Sequence, residues 1–486
     1  MVDAEYLVVG AGATGMAFTD ALIDHADVRV ALVDRRYGPG GHWLDDYAFV
    51  RLHQASAFYG VASTLLGAGL VQRDGPEAGL YERAAGGEVC TYFARVLAER
   101  MVRSGKVAFY PNCDYVGDRQ FVSRLSGQRY QVADGCRIVD ARYLAPDIPA
   151  KTSPPFGVAE GVRVIAVNDL VNLGEAPGEF VIVGSGKTAT DAVVWLLGNG
   201  VASDAIRWVR PRDPWMLNRA VVQPDPAVYV GMVADTMAAA AVASSADELF
   251  VRLEEAGVML RVDQSVAPKM AKTPTLAQWE LDLLRQITRV ERRGHIHHVA
   301  PGRLAFADGE VATRKDAVVV HCAAPGLKYS PLVPVWGAVA IRVQPLRAGF
   351  PCFGGGAGRL RRGDPDRRWG EEPTLPTDSA ARHADRLVPD AGSRRHGDDV
   401  FRCRVGYQGV GRPGRAEPRG HVTGSGESTR AERGAGTIPD LRRLGPVPLD
   451  AARRPVFRDR PSPELGPASR STNRPLTAVR TDREPT

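Results

Sequence analysis

Three glycines and one acid near the beginning of the chain have the spacing of a nucleotide-binding turn. The stretch LVVGAGATGMAF, residues 7–18, contains Gly10, Gly12 and Gly15 in the order G-x-G-x-x-G. In such a turn the first glycine allows the sharp bend, the second lets a pyrophosphate approach the main chain, and the third lets a helix pack closely on a strand. Asp34 lies roughly 20 residues further on, where an acid binds ribose hydroxyls. The pattern predicts a dinucleotide site, with a glycine-rich turn of no special function as the alternative.

The elements around this turn agree with a dinucleotide site. Residues 6–9 form a short apolar run typical of a strand buried on both faces, and residues 13–23 show helical spacing. Residues 28–34 alternate as a second strand. The helix would begin at Ala13, where free N–H groups and the positive dipole end face the phosphates. Arg35 would follow the acid at the same edge of the sheet.

A second turn of the same form occurs later in the chain. Gly184, Gly186 and Ala189 fit G-x-G-x-x-G/A, between a predicted strand at 180–183 and a predicted helix at 190–197. Two such turns in one chain indicate two bound nucleotides. The obvious assignment is FAD at the first turn and a nicotinamide nucleotide at the second.

The residues after the second turn favour NADPH. Lys187 and Thr188 lie at the beginning of the helix as candidate phosphate ligands, and the next strand ends in Arg210 and Arg212 rather than in an acid. A carboxylate would repel a 2′-phosphate, whereas guanidinium groups can bind it with two hydrogen bonds. We therefore expect NADPH rather than NADH, unless these arginines are ordinary solvated side chains.

These patterns predict an α/β fold with two Rossmann-like dinucleotide-binding domains, for FAD and NADPH, and a disordered C-terminal tail. The predicted boundaries are 1–150 for the first part of the FAD-binding domain, 151–178 for a linker, 179–300 for the NAD(P)H-binding domain, 301–355 for the return to the FAD domain, and 356–486 for the tail. The further predicted elements are a helix at 90–104, a strand at 107–110, a meander near 120–125, 129–133 and 136–140, helices at 232–256 and 275–290, and, over 302–326, a hairpin and a buried strand of the first sheet.

Composition narrows the class of protein. A chain of 486 residues with 44% hydrophobic residues has room for two or three domains with real cores. The sequence shows neither a signal peptide nor an apolar run that would span a membrane, which favours the cytoplasm. Its six cysteines form no CxxC pair, so we expect reduced, mostly buried thiols and no metal site.

The basic charge is confined to the end of the chain. Residues 356–486 hold 26 Arg against 18 acidic residues, so the total of +6 leaves −2 for residues 1–355, which argues against a nucleic-acid partner. The same segment has 17 Gly, 15 Pro, no Lys and one Ile, a composition typical of disorder. It fits either a natural low-complexity extension or, as we prefer, a GC-rich gene translated out of frame. In the second case the chain would lack the segment that completes the FAD domain, and FAD binding and activity would be weakened.

On these motifs the chain resembles the two-dinucleotide-binding-domain flavoproteins, and within them the flavin-containing monooxygenase-like group. The match rests on the two glycine turns and on GGHW, residues 40–43, which looks like the GG-x-W segment of that group and includes Trp43. In the family the stretch that follows passes the flavin ring. The resemblance therefore implies that His53 and Gln54 lie near the flavin, although polar residues packed in a loop are the alternative.

The resemblance implies hydride transfer from NADPH to FAD and then reaction of the reduced flavin with molecular oxygen, on an unidentified small organic substrate. It names no catalytic residue. The sequence departs from the family where residues 156–170 lack the expected histidine and where residues 140–146 and 321–326 replace Ala-Thr-Gly segments. Two alternatives stay open: an NADPH-dependent flavin reductase or oxidase that releases peroxide, and a non-catalytic nucleotide-binding protein.

Overall fold

Two five-stranded parallel sheets carry the two glycine turns. They belong to a computed structural model that describes residues 1–143, 145–323, 333–344, 351–353 and 356, all within the unit Met1–Gly397. The tail predicted at 356–486 lies outside the described residues apart from its first glycine.

The elements of the first part of the chain precede the linker. They are β1 (Tyr6–Val9), α1 (Ala13–His25), β2 (Val30–Val33), α2 (Gly86–Arg95), β3 (Val107–Tyr110), β4 (Cys113–Gly117), β5 (Gln120–Ser123), β6 (Arg129–Gln131) and β7 (Arg137–Asp140). Helix α2 continues as a π-helical segment, Val96–Val102, and the predicted helix at 90–104 thus begins four residues earlier than expected.

The later elements follow in the same order. They are β8 (Gly157–Val158), β9 (Arg163–Ala166), β10 (Phe180–Val183), α3 (Lys187–Gly198), β11 (Ile206–Val209), β12 (Pro214–Asn218), α4 (Pro226–Val242), α5 (Ala246–Glu255), β13 (Met259–Leu260), β14 (Met270–Leu276), α6 (Gln278–Leu284), β15 (Val290–Glu291), β16 (His298–Ala300), β17 (Arg303–Phe306), β18 (Gly309–Ala312), β19 (Val318–His321) and β20 (Ala340–Arg342). Short 3-10 turns lie at Gly41–Asp45, Ser56–Phe58, Pro149–Lys151, Val167–Asn172, Ser203–Ala205 and Arg219–Val221.

The first sheet has the strand order β20-β7-β1-β2-β3, and all of its pairs are parallel. Alternate residues of β1 face opposite cores: Val8 packs with α1 and α2, whereas Leu7 and Val9 pack beneath β5. Burial on both faces is the reason for its uninterrupted apolar run. Strands β2 and β7 flank β1, so the chain crosses the sheet in opposite directions there, and the carboxyl end of β1 is the point where such sheets bind ligands.

The second sheet repeats this plan with the order β15-β11-β10-β19-β9, again entirely parallel. Helices α3 and α6 cover one face, and the small sheet β18-β17-β16-β8 covers the other. Here β11 and β19 flank β10, which places the second glycine turn at the equivalent point. The predicted α/β fold with two Rossmann-like domains is confirmed.

The predicted meander was wrong in one strand. The antiparallel sheet consists of β4, β5 and β6, and Cys113–Gly117 was not foreseen as a strand. The segment expected as its third member, near 136–140, forms β7 and pairs with β1 in the first sheet. Its pattern of apolar residues suits either sheet, because a short buried strand looks the same in both.

Two expectations about where the chain passes between the two sheets also differ from the structure. Residues 163–166, inside the predicted linker, form β9 and pair with β19 in the second sheet. The buried strand expected to rejoin the first sheet is β19 itself, which pairs with β10. The chain regains the first sheet at β20.

The two long predicted helices of the second domain differ from the structure. Residues 232–256 belong to two helices: α4 ends at Val242, and α5 begins after Ser245, whose side chain accepts a hydrogen bond from the Glu248 N–H. The helix expected at 275–290 is confined to Gln278–Leu284, since the residues before it form β14.

Candidate functional site

The first glycine turn has the geometry that its spacing predicts. Gly10 has φ +108°, a conformation that favours glycine, and a Cβ on Gly15 would lie 1.8 Å from the Gly10 carbonyl oxygen. Gly12 is the residue before α1, and no side chain caps that end of the helix. The first N–H groups of α1 are therefore available to an anion.

A cavity of about 630 Å³ lies at this turn. It is lined by predicted ligands from the turn and from the end of β2, namely Gly10, Gly12, Ala13, Asp34 and Arg35. Further lining residues come from the carboxyl end of β7 and from the meander, namely Cys113, Asp114, Tyr115, Asp140 and Arg142. Sequence reasoning missed this second group, because only the sheet order brings β7 and β4 next to the turn.

Asp34 is buried and bound to the main chain of the turn. Its Oδ2 accepts a hydrogen bond from the Ala11 N–H at 2.7 Å, and its Oδ1 accepts one from the Arg36 N–H at 2.8 Å. Each carboxylate oxygen has a further lone pair for a ribose hydroxyl. The neighbouring Arg35 is exposed, whereas the Arg36 Nε donates to Asp45 at 2.5 Å.

The GGHW segment packs directly on the glycine turn. The Gly40 N–H donates to the Ala11 carbonyl at 2.9 Å, and a Cβ on Gly41, whose φ is +63°, would lie 2.9 Å from the Gly12 Cα. The Trp43 Nε1–H donates to the Tyr59 hydroxyl at 2.7 Å. Gly41 and Tyr59 line the cavity, and the Trp43 ring packs edge-to-face against Tyr59.

His53 and Gln54 are not among the residues that line this cavity. Gln54 is buried, and the Nδ1 of His53 is buried with no hydrogen-bond partner among the described residues. Burial lowers the pKa of His53 to about 3, with help from the nearby cations Lys187, Arg219 and Arg83. The His53 imidazole is therefore neutral at physiological pH.

The second turn follows the same rules as the first. Gly184 has φ +138°, and its carbonyl accepts a 2.7 Å hydrogen bond from the Trp208 indole N–H. Gly186 precedes α3, which again has no side-chain cap. Lys187 forms an ion pair with Asp191 one turn along the helix, and Thr188 is half-buried beside it.

The two predicted phosphate-binding arginines have different surroundings. Arg210 is 2% exposed, lies over the Trp208 ring at 4.6 Å and forms an ion pair with Asp213 at 3.1 Å. Burial lowers the pKa of Arg210 to about 10. Arg212 is exposed. Preference for NADPH stays a prediction, and of the two side chains only that of Arg212 is open to solvent.

One cation near the second turn was missed by sequence reasoning. The Lys272 Nζ lies 3.9 Å from the position that a Cβ on Gly186 would occupy. Lys272 belongs to β14, which packs beside β12, and is far from Gly186 in the sequence. A lysine inside an apolar strand next to a glycine turn carries no local signal, because the strand pairing alone brings it there.

Titratable side chains lie between the two turns. The Tyr47 hydroxyl donates to Asp191 at 2.7 Å, and His42 Nε2 lies 3.8 Å from Asp46. Burial and the neighbouring carboxylates Asp45 and Asp191 raise the pKa of Asp46 to about 7. Burial lowers the pKa of His42 to about 4.

A buried network of ion pairs joins the two domains. Arg219 is 0% exposed and donates to Glu77 at 2.7 Å and to Glu280 at 2.6 Å. Arg83 forms a further ion pair with Glu77. Removing one partner from such a network leaves an uncompensated buried charge, which is strongly destabilising.

The first turn matches a known family. Residues 8–59 match the NAD(P)-binding Rossmann-like domain. The match contains the glycine turn, Asp34, the GGHW segment and His53.

Two relatives resemble a large part of the chain. An uncharacterized protein of Mycobacterium bovis and one of Mycobacterium tuberculosis are each 41% identical to it over 350 residues, which is 71% of this chain and 65% of the relative. The chain thus spans somewhat less than two thirds of the length of these relatives.

The solved structures that the chain is similar to include monooxygenases. A flavin-containing monooxygenase from Stenotrophomonas maltophilia is 14% identical, with a TM-score of 0.37, over 75% of this chain and 96% of that one. A cyclohexanone monooxygenase from Rhodococcus sp. Phi1 bound to NADP⁺ is 14% identical, with a TM-score of 0.42, over 66% of this chain and 70% of that one. Likeness at this level does not extend to activity or substrate. With its two Rossmann-like domains and their motifs, the chain resembles the flavin-containing monooxygenase-like group.

Among the described residues, no helix is long and apolar enough to cross a membrane. No group of three or more His, Cys, Asp or Glu among them has the arrangement of a metal site.

Proposed function

We propose that this chain is an FAD-dependent, NADPH-using oxidoreductase with monooxygenase-like chemistry on a small organic substrate. The observation that carries the proposal is the pair of glycine turns, each at the carboxyl end of the central strand of its own parallel sheet. The segment 41–53 runs from the first turn towards the second, and the Tyr47 hydroxyl joins it to Asp191 of α3. Two nucleotides bound at these turns would approach each other along this segment.

The first site fits FAD. The main chain at Gly12 is open towards the cavity, the end of α1 offers N–H groups to a pyrophosphate, and Asp34 retains lone pairs for a ribose. Tyr115, with Arg142 at 5.6 Å from its ring, supplies an aromatic surface in the same cavity.

The second site fits a phosphorylated nicotinamide nucleotide. Gly186 leaves the approach to α3 open, and Lys272 lies beside it as a cation for the phosphates. Exposed Arg212 is the side chain that we assign to the 2′-phosphate. Arg210, buried against Trp208 and Asp213, would stabilise the carboxyl end of β11.

The flavin supplies hydride acceptance from NADPH and, once reduced, reaction with molecular oxygen. The protein binds and orients the two nucleotides and excludes water from the space between them. This division of work requires no catalytic triad or carboxylate pair. The proposal places the protein in the cytoplasm, with small molecules rather than nucleic acid or a membrane as its partners.

Purified full-length protein separates the candidate functions. Yellow protein that couples NADPH consumption to an oxygenated product supports the monooxygenase-like reaction. Yellow protein that consumes NADPH and releases stoichiometric peroxide is an oxidase, and one that passes electrons only to added acceptors is a reductase. Colourless protein that does not take up added FAD contradicts the proposal and leaves a non-catalytic nucleotide-binding protein.

A further inference from the structure

Arg219 contacts the first domain twice, although it belongs to the second. Its guanidinium donates to the Glu77 carboxylate, and its Nε donates to the main-chain carbonyl of His53 at 3.1 Å. The same carbonyl accepts a hydrogen bond from the Thr275 hydroxyl, and Arg219 in turn donates to that hydroxyl at 3.2 Å. Two side chains of the second domain therefore hold one peptide group of the first.

The peptide group that they hold belongs to an incompletely bonded histidine. The imidazole Nδ1 of His53 is buried and has no partner in the part of the chain that the structure describes. A buried polar atom without a partner is unfavourable and calls for a specific explanation, such as a missing ligand. Strand β14 connects this peptide group to the second glycine turn, because it carries both Thr275, which binds the His53 carbonyl, and Lys272, whose Nζ lies 3.9 Å from the position of a Cβ on Gly186.

We propose that Arg219 is a positioning residue, which holds the His53 carbonyl so that the His53 imidazole forms a hydrogen bond to the nicotinamide nucleotide at the second turn. The inference rests on the proposed function, since it takes that turn as the nucleotide site. A neutral imidazole has one N–H donor and one acceptor, and either suits an amide or a hydroxyl of the nucleotide. Arg219 does not touch the nucleotide, and its effect passes through the peptide group of residue 53.

The test compares two buried arginines that are each changed to lysine. Arg219→Lys removes the Nε–H that donates to the His53 carbonyl, whereas Arg207→Lys alters an arginine that binds Glu179 and Glu291 within the second sheet. Both changes should lower the melting temperature, because both weaken a buried ion pair. NADP⁺ is titrated into each full-length variant labelled with ¹⁵N-histidine, and the His53 signal is assigned with His53→Asn. Flavin reduction by NADPH is then followed without oxygen.

We expect NADP⁺ to shift the His53 signal in the wild type and in Arg207→Lys but not in Arg219→Lys. The rate of flavin reduction should fall about tenfold in Arg219→Lys, a difference of about 1.4 kcal/mol, and should stay near the wild-type rate in Arg207→Lys. In a His53→Ala background, Arg219→Lys should cause no further loss of rate. Thr275→Val removes the other donor to the His53 carbonyl and should also lower the rate of flavin reduction. This variant replaces Arg219→Lys in the test if Arg219→Lys does not fold.

Two results overturn the inference. One is an unchanged His53 shift and reduction rate in both Arg219→Lys and Thr275→Val; the other is an equal loss in Arg207→Lys, which would show a merely structural role. Failure of the proposed function looks different, because a wild type that binds neither FAD nor NADP⁺ gives no shift and no reduction in any variant.

Discussion

The Tyr47 hydroxyl donates a hydrogen bond to the Asp191 carboxylate at 2.7 Å, and this bond joins the segment after the first glycine turn to the helix after the second. Asp191 also forms an ion pair with Lys187, the first residue of that helix. The two turns are thus connected through three side chains.

Gly12→Val should prevent FAD binding without unfolding the protein. A Cβ at residue 12 would have only an ordinary 3.5 Å contact with Gly41, so the added methyl groups extend into space that we assign to the pyrophosphate. Absorbance of the purified variant should show loss of flavin, and loss of the ligand should lower the melting temperature. Gly87→Ala, where a Cβ meets nothing within 4 Å, is the control and should stay yellow. Full flavin content in Gly12→Val would refute the FAD assignment.

Arg212→Ala should weaken binding of NADPH and leave binding of NADH nearly unchanged. Loss of one charge-assisted contact costs about 1.5 to 3 kcal/mol, which is roughly ten- to a hundredfold in affinity. Arg210→Ala should instead lower the melting temperature, because it leaves Asp213 without one of its two arginine partners. Dissociation constants for both coenzymes measure the first effect, and thermal unfolding measures the second. An unchanged ratio of the two constants in both variants would show that neither arginine reads the 2′-phosphate.

His321→Leu should reduce the loss of stability in mild acid. His321 is 2% exposed, both of its ring nitrogens are without a partner among the described residues, and burial lowers its pKa below the usual 6.5. The unfolded chain therefore binds a proton first, and the free energy of unfolding falls as the pH drops below about 6.5, by up to about 1.4 kcal/mol per pH unit. Urea unfolding at about pH 7.5 and about pH 5.5 measures this slope.

The exposed residue His295 supplies the control for this experiment. His295→Asn should keep the wild-type dependence on pH, while His321→Leu should lose part of it. At the higher pH His321→Leu should be at least as stable as the wild type, because leucine leaves no buried nitrogen without a partner. An unchanged slope would mean that His321 does not control acid stability.

Asp46→Asn should reduce a loss of stability that occurs as the pH rises, whereas the His321 effect occurs as the pH falls. The pKa of Asp46 is raised from 3.8 to about 7, so the folded protein retains a proton that the unfolded chain releases. The contribution of this group to stability is present below about pH 4 and is lost as the pH rises to about 7. Asp46→Asn should remove this dependence on pH. Denaturant unfolding between about pH 4 and about pH 7 measures the free energy of unfolding of each variant. Exposed Asp134→Asn is the matched control, and equal curves for the two variants would contradict the assignment.

The gene should show a change of reading frame near codon 354. Composition changes sharply after residue 355, whereas Cys352 still packs in the core of the first domain, with its thiol directed at the Tyr59 carbonyl. A shift of one base at that point should restore a chain of ordinary composition that includes an amphipathic helix. Sequencing of the gene and translation in all three frames test this. If no frame yields such a helix, residues 356–486 are a native low-complexity extension.

The geometry of the two glycine turns could be predicted from the sequence because its determinants are local. The strands at residues 6–9 and 180–183 begin and end where predicted, since an uninterrupted apolar run followed by glycine has few other interpretations. Gly10, Gly15 and Gly184 have the conformations or close contacts that only glycine tolerates. These constraints depend on a few neighbouring residues and need no knowledge of the rest of the chain.

What only the tertiary structure decided depends on contacts between distant residues. The pattern of β7 fits two different sheets, and pairing with β1 selects one of them. Arg210 and Arg212 look alike in the sequence, yet packing against Trp208 buries the first and leaves the second in solvent. Lys272 and Arg219 carry no local sign of a role, because the pairing of β14 with β12 and the meeting of two domains bring them to their places. Local sequence sets backbone conformation and hydrophobicity, whereas the surroundings of a charged side chain depend on long-range packing.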